Sequence, residues 1–356
     1  MMTTHQAFST TRRFLAILVC LLLLVAACGG SDSSDDDGAG SATDLAYKAC
    51  QVSDTGGIDD KSFNETAYKG VTDSVDSLGI EGSFLESQAV TDFRPNIDSF
   101  INQNCDLIVT VGFLLGDDTA AAAGDNPDQQ FAIVDVAYDP PIDNVLALTF
   151  ATDEASFLAG YLAAGMSKTE TVGTFGGINI PSVTVFMDGF RNGVLHYNDV
   201  NGTNVRVLGW DGAEGLFTGN FESTDDGRAF GENLISEGAD VIMPVAGPVG
   251  LGTAAAAQGA DGVMIIGVDS DWYESSPAYQ DVTLTSVRKN MDAAVSTAIA
   301  DDIAGTDLGT LYVGTLSNGG VGIADFHEFD DDVPQELKDE IEQLRLDIIS
   351  GSVSVS

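Results

Sequence analysis

The chain has 356 residues, 14 of them Lys or Arg against 55 Asp or Glu, giving a formal net charge of −41 at pH 7. Phosphate backbones and anionic lipid surfaces are held by clustered cations, so this balance excludes nucleic-acid binding and docking through a basic patch as the main work of the protein. Three histidines and four cysteines leave no multi-histidine metal centre, so a metal site would have to be built from carboxylates, and none is expected.

The first 27 residues read as a targeting segment. Arg12 and Arg13 form a positive start and Phe14 to Ala27 is a continuous apolar run. That run is too short for a membrane span, which needs about 20 residues. It ends in Leu24-Val25-Ala26-Ala27-Cys28, small residues leading into a cysteine, as in a bacterial lipoprotein signal. Cys28 is therefore expected to be lipidated and to become the mature N-terminus. An ordinary secretory signal with an incidental cysteine is the plainer alternative. Residues 28–44 are rich in Gly, Ser and Asp, with an acidic run at Asp35 to Asp37, and read as a disordered tether. Of the cysteines beyond the signal, Cys50 and Cys105 lie near what read as neighbouring strands in an exported chain. A disulfide and two separately buried thiols are both open, the second being the simpler expectation.

From Ala46 onward short β-rich runs alternate with amphipathic helices. Tyr47–Ser53 reads as a strand, followed by a helix from about Lys61 to Leu78, with Phe63, Ala67, Val71, Val75 and Leu78 at helical spacing. Asp59 or Asp60 can cap that helix and Gly79 ends it. Strands follow at Phe84–Glu86, Leu107–Val111, Phe131–Val136 and Val145–Phe150. After Thr152 the pattern restarts with a helix near Ala155–Met166, a strand at Val172–Phe175, a helix containing Phe190, and a strand at Val205–Leu208. A helix near Gly227–Glu237 and strands at Val241–Val245 and Val263–Val268 close the series. Several strands are apolar throughout, as when helices cover both faces of a parallel sheet. Two β/α series predict an α/β fold of two doubly wound parallel-sheet lobes.

The tail from Ser270 is too short for a third lobe. It holds a strand at Val282–Val287, a helix around Asp292–Ala300, a β-rich piece at Leu311–Val313 and a last helix. In that helix Leu337, Ile341, Leu344 and Ile348 share a face, Pro334 sits at the first turn and Gly351 follows the end. The economical division gives residues 45–150 with about 270–305 to one lobe, and 151–269 with about 306–356 to the other. The chain then crosses between lobes more than once and makes a hinge.

Ser53-Asp54-Thr55-Gly56-Gly57-Ile58-Asp59-Asp60-Lys61-Ser62-Phe63-Asn64 lies where the first strand runs into its helix. Open α/β sheets bind ligands at that edge, and the glycines allow close backbone approach. No Gly-Lys-Ser/Thr ending is present, so a phosphate loop is excluded. A plain connecting loop with a helix cap accounts for the same residues equally well.

With its Asp54 to Asn64 segment, the chain resembles the basic membrane protein family of bacterial lipoproteins, purine-nucleoside receptors of ABC importers with a type I periplasmic-binding-protein fold. Glu154-Ala155-Ser156-Phe157-Leu158-Ala159-Gly160, Gly176-Gly177, Gly189-Phe190-Arg191-Asn192-Gly193, Gly238-Ala239-Asp240-Val241-Ile242, Ala246-Gly247, Ile266 to Asp271 and Leu284 to Lys289 continue the likeness in the family's order. It spans nearly the whole chain beyond the signal. The resemblance implies a hinged receptor, anchored by lipid to the extracytoplasmic face of the cell membrane, that closes on a purine nucleoside and delivers it to a membrane permease. It implies no cofactor and no catalytic residue. It puts the base between Phe63 and Phe221, with Phe217 as the rival for the second place because the loop at Asp211–Asp226 is longer than the family pattern. Core packing on its helix remains the alternative for Phe63. Asp54 and Asn64 are implied at the base edge; Asp135, Asp269 or Asp271, and Lys289 around the ribose; and Gly247 through its backbone. This chain departs from the family's name in being strongly acidic.

Two other readings compete. Nucleoside hydrolases open with an Asp-rich calcium turn after their first strand, but aligning Gly57 to Asp60 on its end puts Ser53 and Thr55 where two of the aspartates belong. Calcium takes six to eight oxygens, carboxylates among them, and the loss of two removes the site. No Gly-x-Ser-x-Gly elbow or nucleophile–histidine pair offers another enzyme. A receptor of the same fold for a sugar or a signalling molecule is harder to separate, since sugar pockets also stack aromatics and use aspartates.

Overall fold

The computed structural model describes residues 46–356; the expected signal peptide at 1–27, the lipidation of Cys28 and the tether at 28–44 lie outside the described residues. The first lobe runs β1 (Lys48–Ser53), α1 (Phe63–Leu78), β2 (Glu81–Leu85), α2 (Phe93–Asn102), β3 (Leu107–Val111), α3 (Gly116–Asp125), β4 (Gln130–Val134) and β5 (Val145–Phe150). The second runs α4 (Thr152–Met166), β6 (Thr171–Gly176), α5 (Pro181–Asn201), β7 (Arg206–Leu208), α6 (Thr224–Ser236), β8 (Val241–Val245), α7 (Val249–Gln258), β9 (Met264–Asp269), α8 (Trp272–Ser275) and β10 (Thr283–Lys289). The tail adds α9 (Met291–Ile303), β11 (Leu311–Gly314), β12 (Val321–Ile323) and α10 (Gln335–Ser350).

The strands form two six-stranded sheets, ordered β11-β5-β4-β3-β1-β2 and β12-β10-β9-β8-β6-β7. All pairs are parallel except β10 with β12. The two orders match position for position, so β1, β3 and β4 correspond to β6, β8 and β9. The apolar strands behave as parallel-sheet interiors: every residue of β3, β8 and β9 is buried beneath helices on both faces. Gly79 ends α1 in the left-handed conformation, φ 69°, which a glycine adopts without a side-chain clash.

The tail divides differently from the expected scheme. The 283–289 strand, expected with the first lobe, lies beside β9 in the second sheet, and the 311–314 strand, expected with the second, lies beside β5 in the first. The reason is packing: β9 and β5 are almost wholly apolar, and each needs another strand on its open side. α9 does pack on α1 and α10 on α4. The chain therefore passes between lobes three times, at 150–152, 289–291 and 314–321. β12 is a three-residue strand that periodicity did not announce. Cys50 and Cys105 form a disulfide, Cα–Cα 6.1 Å, rather than two separate thiols. The turn into β3 lays Cys105 alongside β1, its parallel neighbour.

Candidate ligand-binding site

In each lobe the strand order reverses between two neighbours, β1 and β3 in one and β6 and β8 in the other. The carboxyl ends of such strands open a crevice, the usual ligand position of doubly wound sheets. Here both crevices face a single cavity. The first lobe lines it with Asp54, Phe63, Asn64 and Asp135; the second with Phe221, Gly247, Asp269 and Lys289. Asp271 is not brought there. Its carboxylate accepts from Tyr273 N at the start of α8 and meets His327 Nε2 at 2.8 Å, which directs it away from the cavity.

The turn after β1 is organised by two buried carboxylates around one amide. Asp54 Oδ1 accepts from Gly56 N at 3.2 Å and Asn64 Nδ2 at 2.9 Å. Asp60 accepts from the backbone of Ser62, Asn64 and Glu65 at 2.8–3.1 Å, satisfying the open amides at the start of α1, and also from Asn64 Nδ2 at 3.2 Å. Asp60, expected only as a cap, thus also lines the cavity. Gly112, after β3, backs onto Asp54 with φ 117°; a Cβ there would come within 2.6 Å of Asp54 Oδ2.

The two walls touch each other directly. Lys289, at the end of β10, donates to Asp135 Oδ2 at 2.5 Å, and both side chains are nearly sealed from solvent. Ser62 Oγ, before α1, donates to Asp269 Oδ2 at 2.9 Å across the cleft, and Ser270 Oγ donates to Lys61 O at 2.8 Å. Asp135 and Asp269 stand at corresponding strand ends in the two lobes, each with φ 70°. A left-handed non-glycine residue costs about 1 kcal/mol or more and recurs where a side chain must be aimed at a site.

The aromatics divide by lobe. Phe63 opens α1 and lines the cavity, with Lys289 Nζ 4.8 Å from its ring centroid, so it is not consumed by the core of its helix. Phe221 lines the opposite side, its ring set on Gly177, where a Cβ would approach it to 2.3 Å. Phe217 instead presses on Gly176 and stands edge-on to Trp210 at 6.0 Å. Phe186, on α5, adds to the apolar lining together with Phe113, Leu114, Ile180 and Val183; sequence reasoning missed Phe186 because it falls in that helix's buried stripe.

Burial pushes the carboxyls of Asp54, Asp60 and Asp269 up to about 6, against hydrogen bonds that pull the other way and, at Asp269, against the Lys289 charge. Four aspartates and a single lysine therefore wall the cavity. Such a wall accepts hydrogen bonds from hydroxyl and amino groups and repels phosphate. The apolar rings supply stacking faces.

Residues 48–356 match the family model Bmp, ABC transporter substrate-binding protein PnrA-like. Among curated relatives, the CD4+ T-cell-stimulating antigen of Listeria monocytogenes is 30% identical over 330 residues, 87% of this chain and 88% of that one. The ABC transporter nucleoside-binding protein BmpA of Lactococcus lactis is 30% identical over 332 residues, 88% and 89% of the two chains. Among solved structures, an ABC transporter solute-binding protein from Aeropyrum pernix superposes with a TM-score of 0.79 at 26% identity, covering 86% of this chain and 92% of its own.

Proposed function

The chain belongs to the Bmp family of PnrA-like ABC transporter substrate-binding proteins, and from that premise we propose that it captures a purine nucleoside between its lobes and hands it to a membrane permease. The family's role is binding, not catalysis. The observation that carries the finer reading is the pairing of Phe63 and Phe221, one from each lobe, on one cavity whose charged wall holds four aspartates against one lysine. Base stacking on an aromatic face contributes roughly 1–3 kcal/mol and tolerates different bases. Ribose hydroxyls donate to Asp135 and Asp269 in charge-assisted bonds. Lys289 neutralises Asp135 and keeps donors for the sugar oxygens, and the Gly247 backbone closes the second wall. Asp54 and Asn64 meet the base edge. A nucleotide would bring its phosphates against several carboxylates, so the uncharged nucleoside is the better guest.

Membrane attachment rests on the lipoprotein-like signal ending at Cys28. The full chain with Cys28→Ala should appear in the soluble extracytoplasmic fraction of the producing cell, and its retention in the membrane fraction would remove the anchor from this account.

Thermal shift and calorimetry against nucleosides, free bases, nucleotides and sugars test the ligand class, because binding to the native state raises the melting temperature by mass action. Purine nucleosides should stabilise the protein, while nucleoside monophosphates and hexoses should not. Phe221→Ala should weaken every purine nucleoside by roughly tenfold or more, and Phe217→Ala should leave affinity within about twofold. Stabilisation by a sugar and by no nucleoside would transfer the site to the sugar receptors of this fold.

A further inference from the structure

The corner of the cavity where β1 and β3 end is one-sided in its hydrogen bonding. Asn64 has two amide hydrogens, and both are engaged, by Asp54 Oδ1 and by Asp60 Oδ2. Two flanking carboxylates leave the amide a single orientation, since reversing it would set oxygen against oxygen. Its Oδ1 is buried without any partner among the described residues, on a side chain that lines the cavity and is 1% exposed. Asp54 Oδ1 is likewise taken, by Gly56 N and Asn64, whereas its Oδ2 receives no donor among the described residues. Gly112 stands directly behind that oxygen, close enough that no side chain fits between them. The side chains here thus offer two unclaimed acceptors and no free donor.

A buried acceptor left without a donor is costly, and a ligand that supplies the donor recovers the loss. On the nucleoside reading above, we propose that this corner selects the purine whose edge carries two adjacent N–H donors. Guanosine does, through N1–H and the 2-amino group. Inosine retains only N1–H. Adenosine sets the lone pair of N1 beside its 6-amino group, so one acceptor of the protein faces an acceptor of the base. The discrimination therefore has a repulsive component as well as an attractive one. Asp54 and Asn64 are the specificity-determining pair, and Asp60 is a positioning residue that holds the Asn64 amide turned the required way.

Calorimetry on the full chain at pH 7.5 with guanosine, inosine and adenosine tests this. Guanosine should bind roughly tenfold or more tightly than adenosine, with inosine between. Asp54→Asn keeps an oxygen for Gly56 and Asn64 and turns an amino group toward the cavity. It should cost guanosine roughly 30-fold while leaving adenosine unchanged or tighter, a change of ratio that loss of structure would not produce. Independently of any variant, 1-methylguanosine, with N1–H blocked, should bind no better than adenosine. Equal or reversed preference in the unaltered protein, or equal losses of both nucleosides in a folded Asp54→Asn protein, overturns the selectivity and leaves the nucleoside receptor intact. Binding of none of the three overturns both.

Discussion

At the scale of single residues, the site is a set of carboxylates held where water solvates them poorly. Asp54, Asp60 and Asp269 are pushed up to about 6, whereas in the unfolded chain they return to the ordinary range near 3.8. Between those values these groups bind more protons in the folded protein than in the unfolded one, so their contribution to stability is greatest at acid pH and is lost as pH rises through about 6. Each group contributes about 1 kcal/mol to the difference between pH 5 and pH 7.5. Urea unfolding of the ligand-free protein should therefore give a higher midpoint at pH 5 than at pH 7.5. Asp269→Asn keeps the acceptor for Ser62 and should shrink that difference by about a third. A midpoint that is flat, or that rises toward pH 7.5, would mean these carboxyls are solvated as ordinary surface acids. Legibility at this scale was uneven. The turn from Asp54 to Asn64 stood out as an edge that could be a ligand site or a plain capped loop, and only the family resemblance put Asp54, Phe63, Asn64 and Asp269 at a ligand. Asp271 sits two residues further on, yet the turn into α8 directs it to Tyr273 and His327. Nothing local to the sequence separates those two outcomes.

Among the elements, the same division has a physical cause. Strands covered on both faces declare themselves by apolar runs broken at most by a threonine, and Leu107–Val111, Val145–Phe150 and Val241–Val245 fall where those runs fall. Sheet membership of the tail did not declare itself, because β10 and β11 are chosen by whichever open strand lies within reach, and β12 is three residues long. The disulfide was undecided for a related reason: spacing alone does not say that a turn will carry Cys105 back beside β1. The glycine-bearing motifs of the middle section acquire a function once α4 and α5 are seen together. A Cβ at Gly160 would lie 1.9 Å from Phe190 O, and one at Gly193 would lie 2.0 Å from Phe157 O. The two helices therefore cross backbone to backbone. α6 and α7 repeat the device, with Gly227 against Val249 O at 1.7 Å and Gly252 against Thr224 O at 1.9 Å. Close crossings of this kind leave little room for the helices to slide. They hold the start of α5, and with it Phe186, at a fixed place beside the cavity.

For the molecule as a whole, the question is what joins two lobes that share three chain crossings and one cavity. Among the described residues the polar contacts across the cleft are few: Lys289 with Asp135, Ser62 with Asp269 and the Val268 carbonyl, and Ser270 with the Lys61 carbonyl. All lie beside the cavity, so the contacts that bring the lobes together and those proposed to hold the nucleoside are neighbours. A ligand favours the closed arrangement only by the difference in its affinity for the two arrangements. Weakening a lobe-to-lobe contact should consequently lower the affinity for every nucleoside by one common factor, since it changes the cost of closing and not the fit of the base. Ser62 provides the cleanest case. Its hydroxyl reaches across to Asp269 and makes no cap bond to its own helix, so Ser62→Ala leaves α1 intact. A hydrogen bond to a charged group contributes about 1.5–3 kcal/mol, which sets the expected loss at roughly tenfold or more for guanosine and adenosine alike, with their ratio unchanged. Small-angle scattering of the ligand-free variant should show a larger radius of gyration than the unaltered protein, and saturating nucleoside should bring the two together. A Ser62→Ala protein that closes as readily as its parent, or loses affinity for one base only, would place Ser62 in base recognition and leave closure to the Lys289–Asp135 pair.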